Sequence, residues 1–369
     1  MTRHQVHRAR RSHRAAARAL LAGAALLALA GCSLTTGEED DEASGSDTGT
    51  GSAAGSGEVV LVTHDSFSLP KKLVRQFEEE SGYELVHSPA GDGGTLTNKL
   101  VLTQSDPLGD VAFGVDNTYA SRALDEGVFA PYSPELPPGA ERHMLPGDEE
   151  GALTPVDHAS VCVNVDEAWF AEHDLEPPAT LDDLTDPAYR GLFVTPGATS
   201  STPGMAFLLA TIAEYGEDWP SYWEELMAND TKIVRGWEDA YTVDFTFSGG
   251  ERPIVLSYDS SPAFTVEDGE SSTRALLHTC FRQVEYAGVL DGAENPEGGQ
   301  AVVDWLLSPE VQAALPTSMY VFPVADDVEI PEDWARFAEQ PEETLAVDPA
   351  EIAERRQEWL QEWTEITSR

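Results

Sequence analysis

Leu192–Tyr215 reads LFVTPGATSSTPGMAFLLATIAEY. Leu192–Thr195 is a short apolar run of the kind that forms a buried strand. Apolar residues then recur at Met205, Leu208, Leu209 and Ile212, the spacing of one helix face. Between the two, Ser200-Ser201-Thr202-Pro203-Gly204 places hydroxyls where an N-cap belongs and a proline just inside the helix start. A helix N-terminus leaves several backbone N–H groups unpaired and carries partial positive charge, so it favours an anion. The stretch therefore predicts a strand–turn–helix unit whose turn can receive a phosphate or carboxylate. The same residues also meet the needs of a well-capped helix with no ligand.

The same grammar recurs upstream. Val59–Thr63 is an apolar strand followed by a helix carrying Leu73, Val74 and Phe77. Tyr83–Val86 is a second strand, with a helix opening at Thr95, and Asp110–Val115 a third, with a helix from Tyr119 to Gly127. Downstream come a helix over Pro220–Met227, strands Thr231–Val234 and Pro253–Ser257, and a helix opening at Arg235-Gly236-Trp237. An amphipathic helix spans Gly299–Leu307, and the last helix has Asp348 at N-cap, Pro349 at N1 and Glu351 at N3. Val156–Val165, an apolar strand, and Cys280–Tyr286, a β-like run, read as crossings between two bodies. This repetition predicts an α/β protein of two lobes, each a doubly wound, mostly parallel sheet, joined by a two-strand hinge. Lobe 1 is expected over 58–157 and 286–369, and lobe 2 over 158–285. The arrangement resembles the periplasmic-binding-protein-like fold of bacterial solute-binding proteins, which close on a ligand by hinge motion.

The chain has 369 residues, with 66 acidic against 22 basic side chains and a net charge of −44. Six of those bases (Arg3, Arg8, Arg10, Arg11, Arg14 and Arg18) precede position 19, so the remainder is more acidic still. Such a surface repels nucleic acid. The arginines lead into the apolar run Ala19–Ala30, too short to span a membrane comfortably, which ends Leu29-Ala30-Gly31-Cys32. That ending resembles a bacterial lipobox. It predicts a signal peptide over 1–32, lipidation of Cys32, and a secreted protein tethered to the outer face of the cytoplasmic membrane. Residues 33–57, rich in Gly, Ser, Thr and acids, read as a flexible linker. Cys162 and Cys280 remain; an oxidising exterior favours pairing, but their apolar surroundings equally suit two buried thiols.

Ligands of doubly wound sheets bind beyond the carboxyl ends of the strands. Those ends carry Asp65, Asp92, Gly93 and Asp116 in the first lobe. In the second they carry Ser201, Thr202, Trp237, Tyr258, Asp259, Ser260 and Ser261. Aromatic faces attract cations and stack on rings, carboxylates offset positive charge, and the α-helix turn receives an anion. The set suits a flat cationic ring with a hydroxyl or phosphate tail.

Thr199–Gly204 (TSSTPG), Arg235–Tyr241 (RGWEDAY), Val255–Phe264 (VLSYDSSPAF), His64–Phe67 (HDSF), Gly114–Asn117 (GVDN) and Pro316–Val324 (PTSMYVFPV) together resemble the thiamine-binding proteins of bacterial ABC importers. The resemblance runs from about Val59 to the C-terminus. It implies that Asp92, Gly93, Ser201, Thr202, Trp237 and Tyr258 through Ser261 hold thiamine or its mono- or diphosphate, with Ser201 and Thr202 at the phosphate end. It also implies a transmembrane permease and a cytoplasmic ATPase as partners. Three positions depart from that pattern, which has tyrosine where this chain has His64 and Phe264 and tryptophan where it has Tyr320. Phe264 and Tyr320 keep aromatic character and join the expected ligand set; His64 is not counted in it.

A monomeric binding protein without cofactor or resident metal is thus expected. Ferric-iron binders share the architecture but use adjacent tyrosines, and this chain has no Tyr-Tyr pair. Polyamine binders use acids and aromatics without needing an anion socket. A secreted carboxylate-based hydrolase is the rival from another class. No G-x-S-x-G elbow or H-E-x-x-H motif is present, and nothing singles out one acid pair.

Overall fold

The structure is a computed structural model that describes residues 57–369. The leader, Cys32 and all but the last residue of the expected linker lie outside the described residues; Gly57 itself starts the first strand. The first body runs β1 (Gly57–Thr63), α1 (Lys71–Ser81), β2 (Tyr83–Pro89), α2 (Gly93–Leu102), β3 (Val111–Asp116) and α3 (Ala120–Asp125). The long β4 (Thr154–Asp166) and the short α4 (Glu167–Glu172) follow. The second body holds β5 (Phe193–Pro196), α5 (Thr202–Tyr215), α6 (Trp219–Ala228), β6 (Lys232–Val234), β7 (Ile254–Tyr258) and α7 (Ser261–Phe264). A hairpin, β8 (Val266–Glu267) and β9 (Glu270–Ser271), then leads through β10 (Thr273–Ala275) to β11 (Phe281–Val289). The chain ends with α8 (Pro296–Leu306), α9 (Pro309–Ser318), β12 (Phe322–Pro323), α10 (Glu332–Ala335) and α11 (Pro349–Thr367).

One sheet runs through both bodies in the order β2-β1-β3-β11-β4-β7-β5-β6. The outer groups β2-β1-β3 and β7-β5-β6 are parallel, as the β-α repetition requires; the two crossing strands β11 and β4 pair antiparallel between them. The expected two lobes and two-strand hinge are therefore present, with the hinge strands hydrogen-bonded to each other as part of one curled sheet. β4 is buried along its whole length, its Asp157, His158, Ser160 and Asn164 included.

Some elements differ from expectation. The helix expected at Arg235-Gly236-Trp237 is present but short and wide, a π-helix over Asp239–Asp244 that tucks Ala240, Tyr241 and Phe245 against β5 and β7. Helix α9 was not anticipated, because Pro316 sits inside it. α5 was read as one-faced, yet Thr202 through Ile212 are buried on every side. From α11, Ile352, Trp359, Trp363 and Ile366 join Phe207, Trp223 and Leu226 in the second-lobe core, with Trp363 edge-on to Trp223 at 5.6 Å. The 286–369 segment expected in lobe 1 thus sends its last helix to lobe 2. The same helix reaches back: buried Arg356 donates to Ser121 Oγ at 2.8 Å. Its cap also differs in detail, since Asp348 accepts from Ala350 N at 2.8 Å rather than from the third turn position.

Cys162 and Cys280 form a disulfide at the second-lobe end of the hinge pair, with both residues fully buried. The bond joins positions 118 apart in the chain. Replacing both cysteines by alanine is expected to cost about 2–5 kcal/mol in urea unfolding. Equal stability of wild type and the double variant would show the crosslink to be redundant with the packing around it.

Candidate functional site

The chain turns from β2 into α2 at Ala90-Gly91-Asp92-Gly93-Gly94. Asp92 is the N-cap of α2 and accepts from Gly93 N at 2.7 Å. Its reach extends further. Oδ1 also takes the N–H of Thr202, the first residue of α5, at 3.2 Å, and Oδ2 takes the N–H of Trp237 at 2.7 Å. Ser201, the N-cap of α5, makes no capping bond of its own. The anion at the head of α5 is therefore the protein's own carboxylate. This revises the expectation that the Ser201–Thr202 socket stands open for a ligand phosphate.

Close approach makes the bridge possible. A Cβ on Gly93 would collide with Thr202 Oγ1, and one on Gly94 would lie 2.8 Å from the backbone of Ser200. Only glycine lets the two helix heads meet. Thr95 N and Oγ1 then both donate to Ser200 O, at 2.9 and 3.1 Å. Asp116 completes the junction: it accepts from Thr118 N at 2.6 Å and from Thr202 Oγ1. Burial pushes the Asp116 carboxyl up to about 6 against the pull of those hydrogen bonds. Burial likewise raises Asp92, opposed by its amide donors.

Beside this junction lies a cavity of about 710 Å³ lined from both lobes. Trp237, half-buried, stacks on Tyr241 at 5.0 Å and 13°, and its Nε1 is fixed by Ser257 Oγ at 2.9 Å. Phe264 is 50 % exposed and meets Tyr320 edge-on at 5.1 Å. Tyr320 holds φ 56°, a left-handed backbone uncommon for an aromatic residue, and Ser260 Oγ bonds its carbonyl. The first lobe contributes His64, Asp65, Asp92 and Gly93 to the wall; Glu238 follows Trp237, and Glu285 rises from β11. Ring faces and carboxyl groups thus share one enclosed space, which suits a flat cation.

Ten of the thirteen expected ligand residues line this cavity: Asp65, Asp92, Gly93, Thr202, Trp237, Tyr258, Ser260, Ser261, Phe264 and Tyr320. Three do not. Ser201 and Asp116 are fully buried in the interlobe junction. Asp259 turns the other way, accepting from Ser160 N at 3.1 Å and bordering a separate groove with Arg274 and Arg336. The turn after β7 forces this division, because Ser261 Oγ folds back on Tyr258 N at 3.1 Å and on Ser257 Oγ at 2.7 Å. Sequence reasoning missed Tyr241 and Glu285 and discounted His64, whose Nε2 lies 3.5 Å from Glu285 Oε1. A glutamate inside the crossing strand, between Val284 and Tyr286, was the available signal for Glu285. Among the described residues, no group of three or more His, Cys, Asp or Glu could hold a metal ion.

Residues 63–313, more than half of the chain, match the family described as bacterial extracellular solute-binding protein. The chain belongs to that family. A thiamine-binding periplasmic protein of Escherichia coli (strain K12) is 30% identical over 321 residues, covering 84% of this chain and 94% of that one. A solved periplasmic thiamin binding protein superposes with a TM-score of 0.74 at 28% identity, over 85% of this chain and 96% of the other. A ferric binding protein from Campylobacter jejuni, with a TM-score of 0.65 at 17% identity over 84% of this chain and 99% of the other, shares the fold alone.

In this solute-binding protein the Asp92 bridge ties the lobes at the cavity edge together with the Thr95–Ser200 and Asp116–Thr202 bonds. Asp92→Ala strips the Thr202 and Trp237 amides of their acceptor, an expected loss on the order of 3 kcal/mol from the closed arrangement. Small-angle scattering of the ligand-free variant should give a larger radius of gyration than wild type. An unchanged radius would remove Asp92 from closure.

Proposed function

We propose that the protein captures thiamine outside the cell and delivers it to the permease and cytoplasmic ATPase of an ABC importer. It does so as a monomer, without catalysis or cofactor, tethered by a lipid on Cys32 to the outer face of the cytoplasmic membrane. The observation that carries the reading is the cavity wall, where Trp237, Tyr241, Tyr258, Phe264 and Tyr320 face the same space as Asp92 and Glu285. A thiazolium ring carries a permanent positive charge and an aminopyrimidine offers N–H donors, so stacking and carboxyl contacts can act together. The names of the relatives support the same ligand.

Because Asp92 fills the head of α5, a phosphate tail has no open amide socket there. Exposed Lys99 and Arg235, at the cavity rim, are the remaining cations for it. Free thiamine is therefore the preferred ligand, with the mono- and diphosphate weaker. The lobes meet through β4 and β11 and again at the cavity edge, where the Trp237 side is already hydrogen-bonded to Asp92, so ligand release requires these contacts to open.

Calorimetry of the purified protein with thiamine, its two phosphates, spermidine and ferric iron tests the assignment. Thiamine should bind, and Trp237→Ala should weaken it by on the order of 1–3 kcal/mol through the lost stack. Ser201→Ala should change thiamine and thiamine phosphates alike, since its hydroxyl is outside the cavity. Heat with spermidine or iron but none with thiamine would overturn the reading.

A further inference from the structure

A second carboxyl lies behind Glu285. Asp157 of β4 stands directly opposite Glu285 of β11 in the antiparallel ladder, so both side chains rise on one face of the hinge. Asp157 is 0% exposed, and neither of its oxygens finds a hydrogen-bond donor. Glu285, 6% exposed, separates it from the cavity. An orphaned buried carboxylate is costly; a protonated one that donates to its neighbour is not. A proton on Asp157, donated toward Glu285 across the ladder, would meet that cost.

The groups around the pair do not supply a lasting positive charge. His64 approaches Glu285 from the end of β1, but burial holds its imidazole below the ordinary range and so neutral. Asp92 from the head of α2 and Asp116 from the end of β3 add negative charge, and Tyr258 from β7 is held neutral by burial. Arg282, on β11 itself, bonds His158 Nδ1 at 3.1 Å in a different pocket. Burial, and then the charge of Asp92, push Glu285 up to about 7, while burial and Glu285 itself push Asp157 well above the usual carboxyl range.

We propose that Glu285, backed by protonated Asp157, is a proton-for-cation exchange site: it carries a proton in the ligand-free protein and releases it to solvent when an organic ring cation settles against it. The inference rests on the thiamine reading of the cavity. No covalent bond to the ligand forms. The O–H bond of Glu285 breaks, the proton leaves to buffer, and the ring's positive charge takes its place beside the carboxylate. Asp157 keeps its proton and strengthens that carboxylate by donating to it. Ligand departure reverses each step, so acid favours release and neutral or basic conditions favour capture.

Titration calorimetry in two buffers of different ionisation enthalpy counts the protons. At about pH 6, thiamine binding by wild type should release close to one proton; at about pH 8, close to none. Affinity should rise by up to ~10-fold per pH unit below about 7 and level off above it. Glu285→Gln should abolish both the release and the pH slope, and Asp157→Asn, which still offers an N–H, should keep both. Protonation of the aminopyrimidine would appear as uptake, the opposite sign. Thiamine binding with no proton release, or equal release by Glu285→Gln, overturns the exchange and leaves the ligand assignment standing; failure of thiamine to bind overturns both.

A ligand-free readout gives an independent check. A carboxyl raised in the folded state stabilises it fully below the unfolded value and loses that contribution as pH rises through the folded value. For Glu285 the loss spans about 4.5 to about 7. Wild-type stability to urea should therefore fall more steeply across that interval than that of Glu285→Gln. Parallel slopes would count against a proton on Glu285.

Discussion

One carboxylate holds the two halves of this protein in register. Asp92 caps its own helix and, with the same two oxygens, takes the leading amide of α5 from the other lobe and the amide of Trp237. A helix head needs an anion, and here a side chain anchored in the opposite lobe meets that need. The stacking tryptophan is therefore positioned by the same contact that draws the lobes together. Glycines at 93 and 94 are the steric condition for it.

Around that junction the cavity combines two demands that usually conflict. Ring stacking wants apolar, water-excluded walls, and charge recognition wants carboxylates. Burying carboxylates raises their affinity for protons, as at Asp116 and Glu285. A strongly acidic chain can therefore present a cleft that is only partly ionised, and a cation completes its charge.

Much of this was legible beforehand because it depends on local chemistry. Periodicity of two and of 3.6 revealed the β-α repetition, and polar residues at successive strand ends marked the cavity rim. The failures share one cause, since each required knowing what packs against an element. α5 reads as one-faced, yet α6 covers the side away from the sheet, and α11, more than a hundred residues later, packs on α6. Asp259 looked like a ligand residue because direction within the turn after β7 depends on which way Ser261 folds. Nothing beside Glu285 in the chain marks it, and its meaning comes from Asp157, more than a hundred residues away on the pairing strand.

By itself, the amino-acid sequence determined an acidic two-lobed α/β protein with crossing strands, a helix head that calls for an anion, and aromatic and acidic residues at the strand ends. These follow from the spacing and chemistry of neighbours in the chain. Only the tertiary structure decided which anion answers the α5 amides, which acids face the cavity, and that two carboxyls confront each other across the hinge. Those facts depend on distances between remote segments, and a charge takes its character from whatever is folded against it.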